Sequence, residues 1–261
     1  MRSGIKKISK VLLFVAMPWS MASAIEITSA VDAVDIAGKQ RMYTQRMLKD
    51  YAMVGMNNTF GKPHEDLKRL IVNFDDHLLA LIAYSKSDAT KKSMEQVNRL
   101  WVPLKAILSA TPSVEKVEQL QKDLDTLLKA ANEATQLFAK ELKQASGEIV
   151  NLSGRQRMLS QRMASLYMLK VWGVKDSEFK MKLHSAMEEF KSAQAKLEAS
   201  ALSTEEIHGY LKKAKRSFTF FEMMNKKEST HFVPSLIYKK SNDILINMNE
   251  ATHKYVANEA K

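Results

Sequence analysis

Gly38-Lys39-Gln40-Arg41-Met42-Tyr43-Thr44-Gln45-Arg46-Met47 recurs 116 residues later as Gly154-Arg155-Gln156-Arg157-Met158-Leu159-Ser160-Gln161-Arg162-Met163. Seven of the ten positions are identical, and Lys39/Arg155 and Thr44/Ser160 keep their chemistry. Tyr51 and Tyr167 match at the same spacing, and Asn132-Glu133-Ala134-Thr135 returns as Asn249-Glu250-Ala251-Thr252, 117 residues on. The chain is therefore two copies of one unit, residues 25–145 and 146–261. Such a period suits two small domains rather than a solenoid of short repeats.

Working outward from the motifs, the chain reads as helices throughout. Glycine is scarce, eight in all, and Gly55, Asn57-Asn58 and Gly61-Lys62-Pro63 end one helix and start the next, with Pro63 suited to a first helical position. Ser203-Thr204-Glu205-Glu206 has the form of a capping box, and Ser146-Gly147 and Trp172-Gly173 read as breaks. These signals predict helices at 28–57, 63–86, 90–109, 113–145, 147–171, 176–200, 204–228 and 232–258. Leu120, Leu124, Leu127, Leu128 and Ala131 keep helical spacing, and no alternating segment competes. Four helices per unit make the fold all-α, a tandem pair of four-helix bundles.

Residues 1–24 precede the repeats. They carry Arg2, Lys6, Lys7 and Lys10 with no acid, then the apolar run Val11–Met17, then Ala22-Ser23-Ala24, the layout of a signal peptide cut after Ala24. The run is shorter than the ~20 residues that span a bilayer. Cleavage would leave an exported, periplasmic chain that does not itself span the membrane, and would lower the formal charge from +11 to +7. The absence of cysteine excludes disulfides and thiol chemistry. Lysines alternate with acids without interleaved surface aromatics, which argues against a nucleic-acid partner. No Ser/His/Asp set or glycine-rich phosphate loop is present, so no enzyme, cofactor or metal is expected. The 16 methionines read as flexible core filling in preference to copper(I) ligands.

On a helix at 100° per residue, Ala30, Ala33, Val34, Ala37, Arg41, Thr44, Gln45, Leu48, Ala52 and Gly55 share one stripe. Ser146, Ile149, Val150, Ser153, Arg157, Ser160, Gln161, Ala164, Met168 and Val171 form its counterpart. An arginine thus sits in a face of small residues, where it must be paired or cost several kcal/mol. A small planar oxyanion would satisfy its two-pronged donor fork, with Gln45 and Gln161 adding amide donors one turn later. A carboxylate from another helix would satisfy it equally. Lys39, Arg46, Arg155 and Arg162 point away from the stripe, towards solvent or surface carboxylates.

The motif resembles the PilJ-type helical domain, found at the N-terminus of type IV pilus chemotaxis transducers and related to the sensor domain of NarX-type kinases. Gly-x-x-Arg-Met followed by Gln-Arg carries the resemblance in both copies. It implies a nitrate- and nitrite-sensing four-helix bundle in which the first motif arginine, here Arg41 or Arg157, grips the anion between the first helices of two subunits. The candidate ligand-binding residues are Arg41, Arg157, Gly38, Gly154, Gln45 and Gln161. The chain carries no transmembrane helix, signalling domain or kinase beside the repeats, so the resemblance implies a membrane partner: a receptor, kinase or chemotaxis transducer.

Duplication can replace the receptor dimer. If the chain reverses at Ser146-Gly147, helix 147–171 runs parallel to helix 28–57, the stripes face each other as an intramolecular pseudo-dimer, and Ala37 lies close to Ser153. A single continuous helix over 113–171 would instead keep the motifs apart. The equal distance of each motif from the start of its unit favours the reversal. The competing function is a helical envelope protein that docks on partners and takes no small ligand.

Overall fold

A computed structural model describes residues 25–142, 145–226 and 233–259. The proposed signal segment 1–24 lies outside them. Eight helices follow in order: α1 Ala30–Gly55, α2 Pro63–Tyr84, α3 Asp88–Ser109, α4 Val114–Leu142, α5 Ala145–Val171, α6 Phe179–Glu198, α7 Glu205–Lys226 and α8 Pro234–Glu259. Ser29 caps α1 by accepting from the Asp32 amide at 3.1 Å, and Pro63 opens α2 as expected.

Three local expectations shift. The predicted break is not at Ser146-Gly147, because α5 already begins at Ala145 and runs through both residues. A Cβ on Gly147 would come within 2.9 Å of the Leu142 side chain, so this glycine lets the start of α5 pass the end of α4. The capping box at Ser203 does not form: Thr204 Oγ1 accepts from Ile207 at 3.4 Å, and the Ser203 hydroxyl donates to the Leu197 carbonyl at 2.6 Å. Helix α3 starts two residues earlier than predicted because Ser87 accepts from the Thr90 amide.

Helices α1–α4 form one bundle and α5–α8 the other, with α1 and α5 as the most extensive helix pair. Helix α4 runs antiparallel to α1, since Arg41 meets Asn132 while Tyr51 meets Ser113. Helix α5 runs parallel to α1, because Arg41 reaches Asn151 and Gln45 reaches Ser165. The reversal and the pseudo-dimer are thus present. Helix α1 lies in its own bundle and against the other, so 20 of its 26 residues are buried. Such a helix has apolar contacts on nearly every side and little amphipathic contrast.

Equivalent contacts hold each bundle. Phe74 stacks on Trp101 with ring centroids 4.1 Å apart, and Phe190 on Phe218 at 4.4 Å. Gln40 Nε2 donates to the Phe74 carbonyl at 3.0 Å, and Gln156 Nε2 to the Phe190 carbonyl at 3.1 Å. Full burial of one such aromatic contributes about 1.5–3 kcal/mol. Two further contacts lock the bundles together. The Trp172 ring covers Gly55, where a Cβ would come within 2.1 Å of it, and the Tyr238 hydroxyl donates to the carbonyl of Gly61, a residue at φ +75°.

Candidate functional site

The motif arginines converge at the centre of the α1–α5 contact. Arg41 is 1% and Arg157 0% exposed. A Cβ on Gly38 would stand 3.3 Å from the Nη2 atoms of both, and one on Gly154 3.0 Å from Arg157 and 3.3 Å from Arg41. Both guanidinium tips therefore share the space that the two glycines leave open. Gly38 and Gly154, one position on from the predicted Ala37 and Ser153, are the residues that border both guanidinium tips. Ala37 faces its own bundle, beside Leu81, Met94 and Ala134, and the Ser153 hydroxyl bonds Thr252 of α8 at 2.7 Å.

Each arginine is held by its own α4-type helix and by the backbone of the opposite motif helix. Arg41 Nη1 donates to Asn132 Oδ1 at 2.9 Å and Nη2 to the Asn151 carbonyl at 3.1 Å. Arg157 Nη1 donates to Asn249 Oδ1 at 3.1 Å and Nη2 to the Asp35 carbonyl at 3.4 Å. The exchange of partners is that of a two-fold axis between the helices. The Nε of both arginines is buried without a hydrogen-bond partner, and a buried donor left unmade costs about 1–3 kcal/mol.

The charges break the symmetry. Asp35 Oδ1 lies 2.7 Å from Arg157 Nη2, and its Oδ2 2.8 Å from Lys39 Nζ. Burial alone would raise the Asp35 carboxyl, but Arg157 and Lys39 hold it far below the usual range. Among the described residues no carboxylate forms an ion pair with Arg41, whose acceptors are the neutral Asn132 Oδ1 and Asn151 carbonyl. Burial, then the nearby Arg155 and Arg157, pull Arg41 down to about 9, against Asp35.

Gln45 and Gln161 form the next layer, with their donors committed elsewhere. Gln45 Nε2 reaches Asp125 at 3.3 Å while its Oε1 accepts from Ser165 across the interface. Gln161 Nε2 donates to the Ser241 carbonyl at 3.1 Å, and its Oε1 accepts from Lys49 Nζ at 2.9 Å. Lys49 is fully buried, also donates to Asn242 at 3.2 Å, and sits 4.3 Å above the Tyr238 ring. The outward-pointing motif cations are paired: Arg46 with Asp66, Arg155 with Glu189 and Arg162 with Asp125.

The same repeated residues decide the family. A family model described as the type IV pili methyl-accepting chemotaxis transducer N-terminal domain (PilJ) matches residues 26–137 and again 137–213. The chain belongs to the PilJ family. The two matches contain both motifs, so the arginine layer joins two PilJ segments, and membership places the chain among sensing and signalling modules. No curated protein and no solved structure matches it. Among the described residues no helix is long and apolar enough to cross a membrane, and no group of three or more His, Asp or Glu could hold a metal ion.

Four residues of this layer were not singled out from sequence. Asn132 and Asn249 had a signal, the repeated Asn-Glu-Ala-Thr. Asp35 and Lys49 had none, since their partners lie 122 and 112 residues away.

Proposed function

We propose that this PilJ-family chain is an exported, periplasmic sensor module that binds one small oxyanion, nitrate or nitrite, between Arg41 and Arg157. It relays occupancy to a membrane partner: a receptor, kinase or chemotaxis transducer. The observation that carries this reading is Arg41, a fully buried guanidinium with neutral acceptors only, a bare Nε, and a second guanidinium beside it. Two like charges at that separation repel in a low dielectric, and an anion between them converts the repulsion into attraction on both sides. Gly38 and Gly154 leave the room that the two guanidinium tips share and that an anion enters as the tips part, Asn132 and Asn249 aim the forks, and Gln45 and Gln161 brace the layer below.

An anion drawn between the tips competes for the Nη2 donors that now reach across to the opposite backbone. Occupancy thereby resets α1 against α5, and with them the two bundles. A ligand shifts such an equilibrium only by its differential affinity for the two arrangements, which here comes from contacts to both helices at once.

Thermal melting in nitrate or nitrite tests the reading. A ligand bound only by the folded state stabilises it by about 2.7 kcal/mol at a hundredfold excess over Kd. Charge-assisted hydrogen bonds contribute about 1.5–3 kcal/mol each, so Arg41→Ala or Arg157→Ala weakens binding tenfold or more, while Arg46→Ala leaves it unchanged. Absence of any anion effect on the unsubstituted protein would return the chain to the competing reading, a helical envelope protein that docks on partners without a ligand.

A further inference from the structure

In the arginine layer the arginine–asparagine and arginine–backbone contacts of one half have their counterparts in the other, but the counter-charge does not. The position of Asp35 in α1 is occupied in α5 by Asn151, 116 residues later. Both backbone carbonyls accept from the opposite arginine, so the helices are placed alike, and at this position the two halves differ by a single carboxylate. Asp35 is 6% exposed and its Oδ1 forms an ion pair with Arg157 at 2.7 Å; both that oxygen and the Asn151 Oδ1 are buried outside hydrogen-bond geometry, so what separates the two positions is the charge. A two-fold dimer of identical chains supplies none or two such carboxylates. A duplicated chain can supply one.

Resting on the anion-binding reading, we propose that Asp35 is a built-in counter-ion: it neutralises one of the two motif arginines and so makes the site take a singly charged oxyanion and refuse a doubly charged one. Among the fully buried groups of the layer, Arg41, Arg157 and Asp35 leave one uncompensated positive charge, while Lys39 and Arg155 stand at its partly exposed rim, where water and salt screen them. Lys39 holds the other carboxylate oxygen at 2.8 Å from the half-buried rim, which turns Oδ1 inward. A monoanion completes neutrality. A dianion brings an excess charge against Asp35 where little water can screen it. Asp35 is thus a specificity-determining residue acting through Arg157.

Titration calorimetry of the purified protein with sodium nitrate and with sodium sulfate, in chloride-free buffer, tests this, with apo melting curves as the check on folding. The unsubstituted protein is expected to bind nitrate at least tenfold more tightly than sulfate. Asp35→Asn is expected to tighten nitrate tenfold or more and to bind sulfate. Asn151→Asp, which gives Arg41 its own carboxylate, is expected to weaken nitrate at least tenfold. The exchange Asp35→Asn with Asn151→Asp keeps the charge and moves it to the other arginine, so nitrate affinity and sulfate rejection return to within about threefold of the starting protein, by the tolerance of the pseudo-symmetry. A merely structural role for Asp35 predicts no such rescue, and an unrescued exchange overturns the proposal, as does an unchanged selectivity in Asp35→Asn. No nitrate binding by any of the four proteins overturns the anion reading itself, a distinct result.

Discussion

The two bundles repeat the motif arginine and its hydrogen bonds to neutral acceptors closely, and their other buried charges hardly at all. Arg41–Asn132 matches Arg157–Asn249, and Gln40 on the Phe74 carbonyl matches Gln156 on that of Phe190. Tyr51 and Tyr167 each accept an amide from the segment at the start of the fourth helix, from Ser113 and Val233. Yet the positions of Asp35, Lys49, Asp50, Asp66 and His77 in the first copy are taken by Asn151, Ser165, Leu166, Lys182 and Ala193 in the second. The shared contacts set backbone positions, and both copies need them. The buried ions need only be present once per chain, so duplication lets one copy carry them while the other supplies neutral partners such as Gln161 and Asn242.

The largest expected break in this comparison is at Lys49. Removing one member of a buried ionic set strands the other, at a cost of about 3–5 kcal/mol. Lys49→Met takes from the buried Asp50 the cation 3.6 Å away, so that this carboxyl must stay buried as an unpaired ion or take up a proton at pH 7, and is expected to lower the urea midpoint. The change at the equivalent site, Ser165→Ala, costs no more than about 1 kcal/mol, the worth of an ordinary hydrogen bond. The double change Lys49→Ser with Asp50→Leu, which copies the second unit, is expected to recover most of the loss.

Next in size is the acid response of the first bundle. Burial holds His77 down at about 4, helped by Lys39, while in the unfolded chain it titrates near 6.5. The unfolded state therefore binds the extra proton between these values, and stability contributed by the neutral ring is complete above about pH 6.5 and lost as pH falls towards 4. By pH 5 the loss is roughly 2 kcal/mol, from about 1.4 kcal/mol per unit. Asp50 acts oppositely, because burial pushes its carboxyl up and the folded state then holds the extra proton over part of the same range. Melting from pH 7 to 5 should accordingly steepen in Asp50→Asn and flatten in His77→Gln. Equal slopes in both variants would show that neither group governs the acid limb.

The smallest effect sharpens the contrast between the two glycines. A methyl group at Gly154 meets Arg157 at 3.0 Å, one at Gly38 meets both tips at 3.3 Å. Glycine to alanine in a helix interior gains about 0.5–1 kcal/mol, which offsets the crowding, so both variants are expected to melt within a few degrees of the starting protein. Nitrate affinity should fall severalfold, more in Gly154→Ala than in Gly38→Ala.

Much of this molecule was readable from its residues. The doubled motif and the Asn-Glu-Ala-Thr echo predict the paired bundles, and Pro63 marks its helix start. The family follows from Arg41 and Arg157 with their glycines. Orientation within α1 was not readable, because a helix buried on nearly all sides gives no apolar contrast from which to tell Gly38 from Ala37. Gln45 and Gln161 were expected beside the arginines, yet they turn to Asp125 and Ser241 on α4 and α8, partners about 80 residues away. Ser203 lost its cap to Thr204 because the Leu197 carbonyl and Tyr255 compete for its hydroxyl.

The indole laid over Gly55 gives the protein an optical handle. Trp172 stands with Tyr51 at 6.0 Å, at the end of the α1–α5 seam, while Arg41 lies fourteen residues up α1, about 21 Å at 1.5 Å per residue. Beyond residue 24 the chain holds one other tryptophan, Trp101, whose indole nitrogen is tied to Asp75 at 2.6 Å inside the first bundle. A slide or twist of one motif helix against the other moves the Trp172 ring off its glycine and into water, whereas Trp101 travels with its own bundle. Trp101→Phe thus leaves Trp172 as the single tryptophan after residue 24, and its emission colour, excited at the red edge where tyrosine does not absorb, registers at one end of the seam what happens at the other.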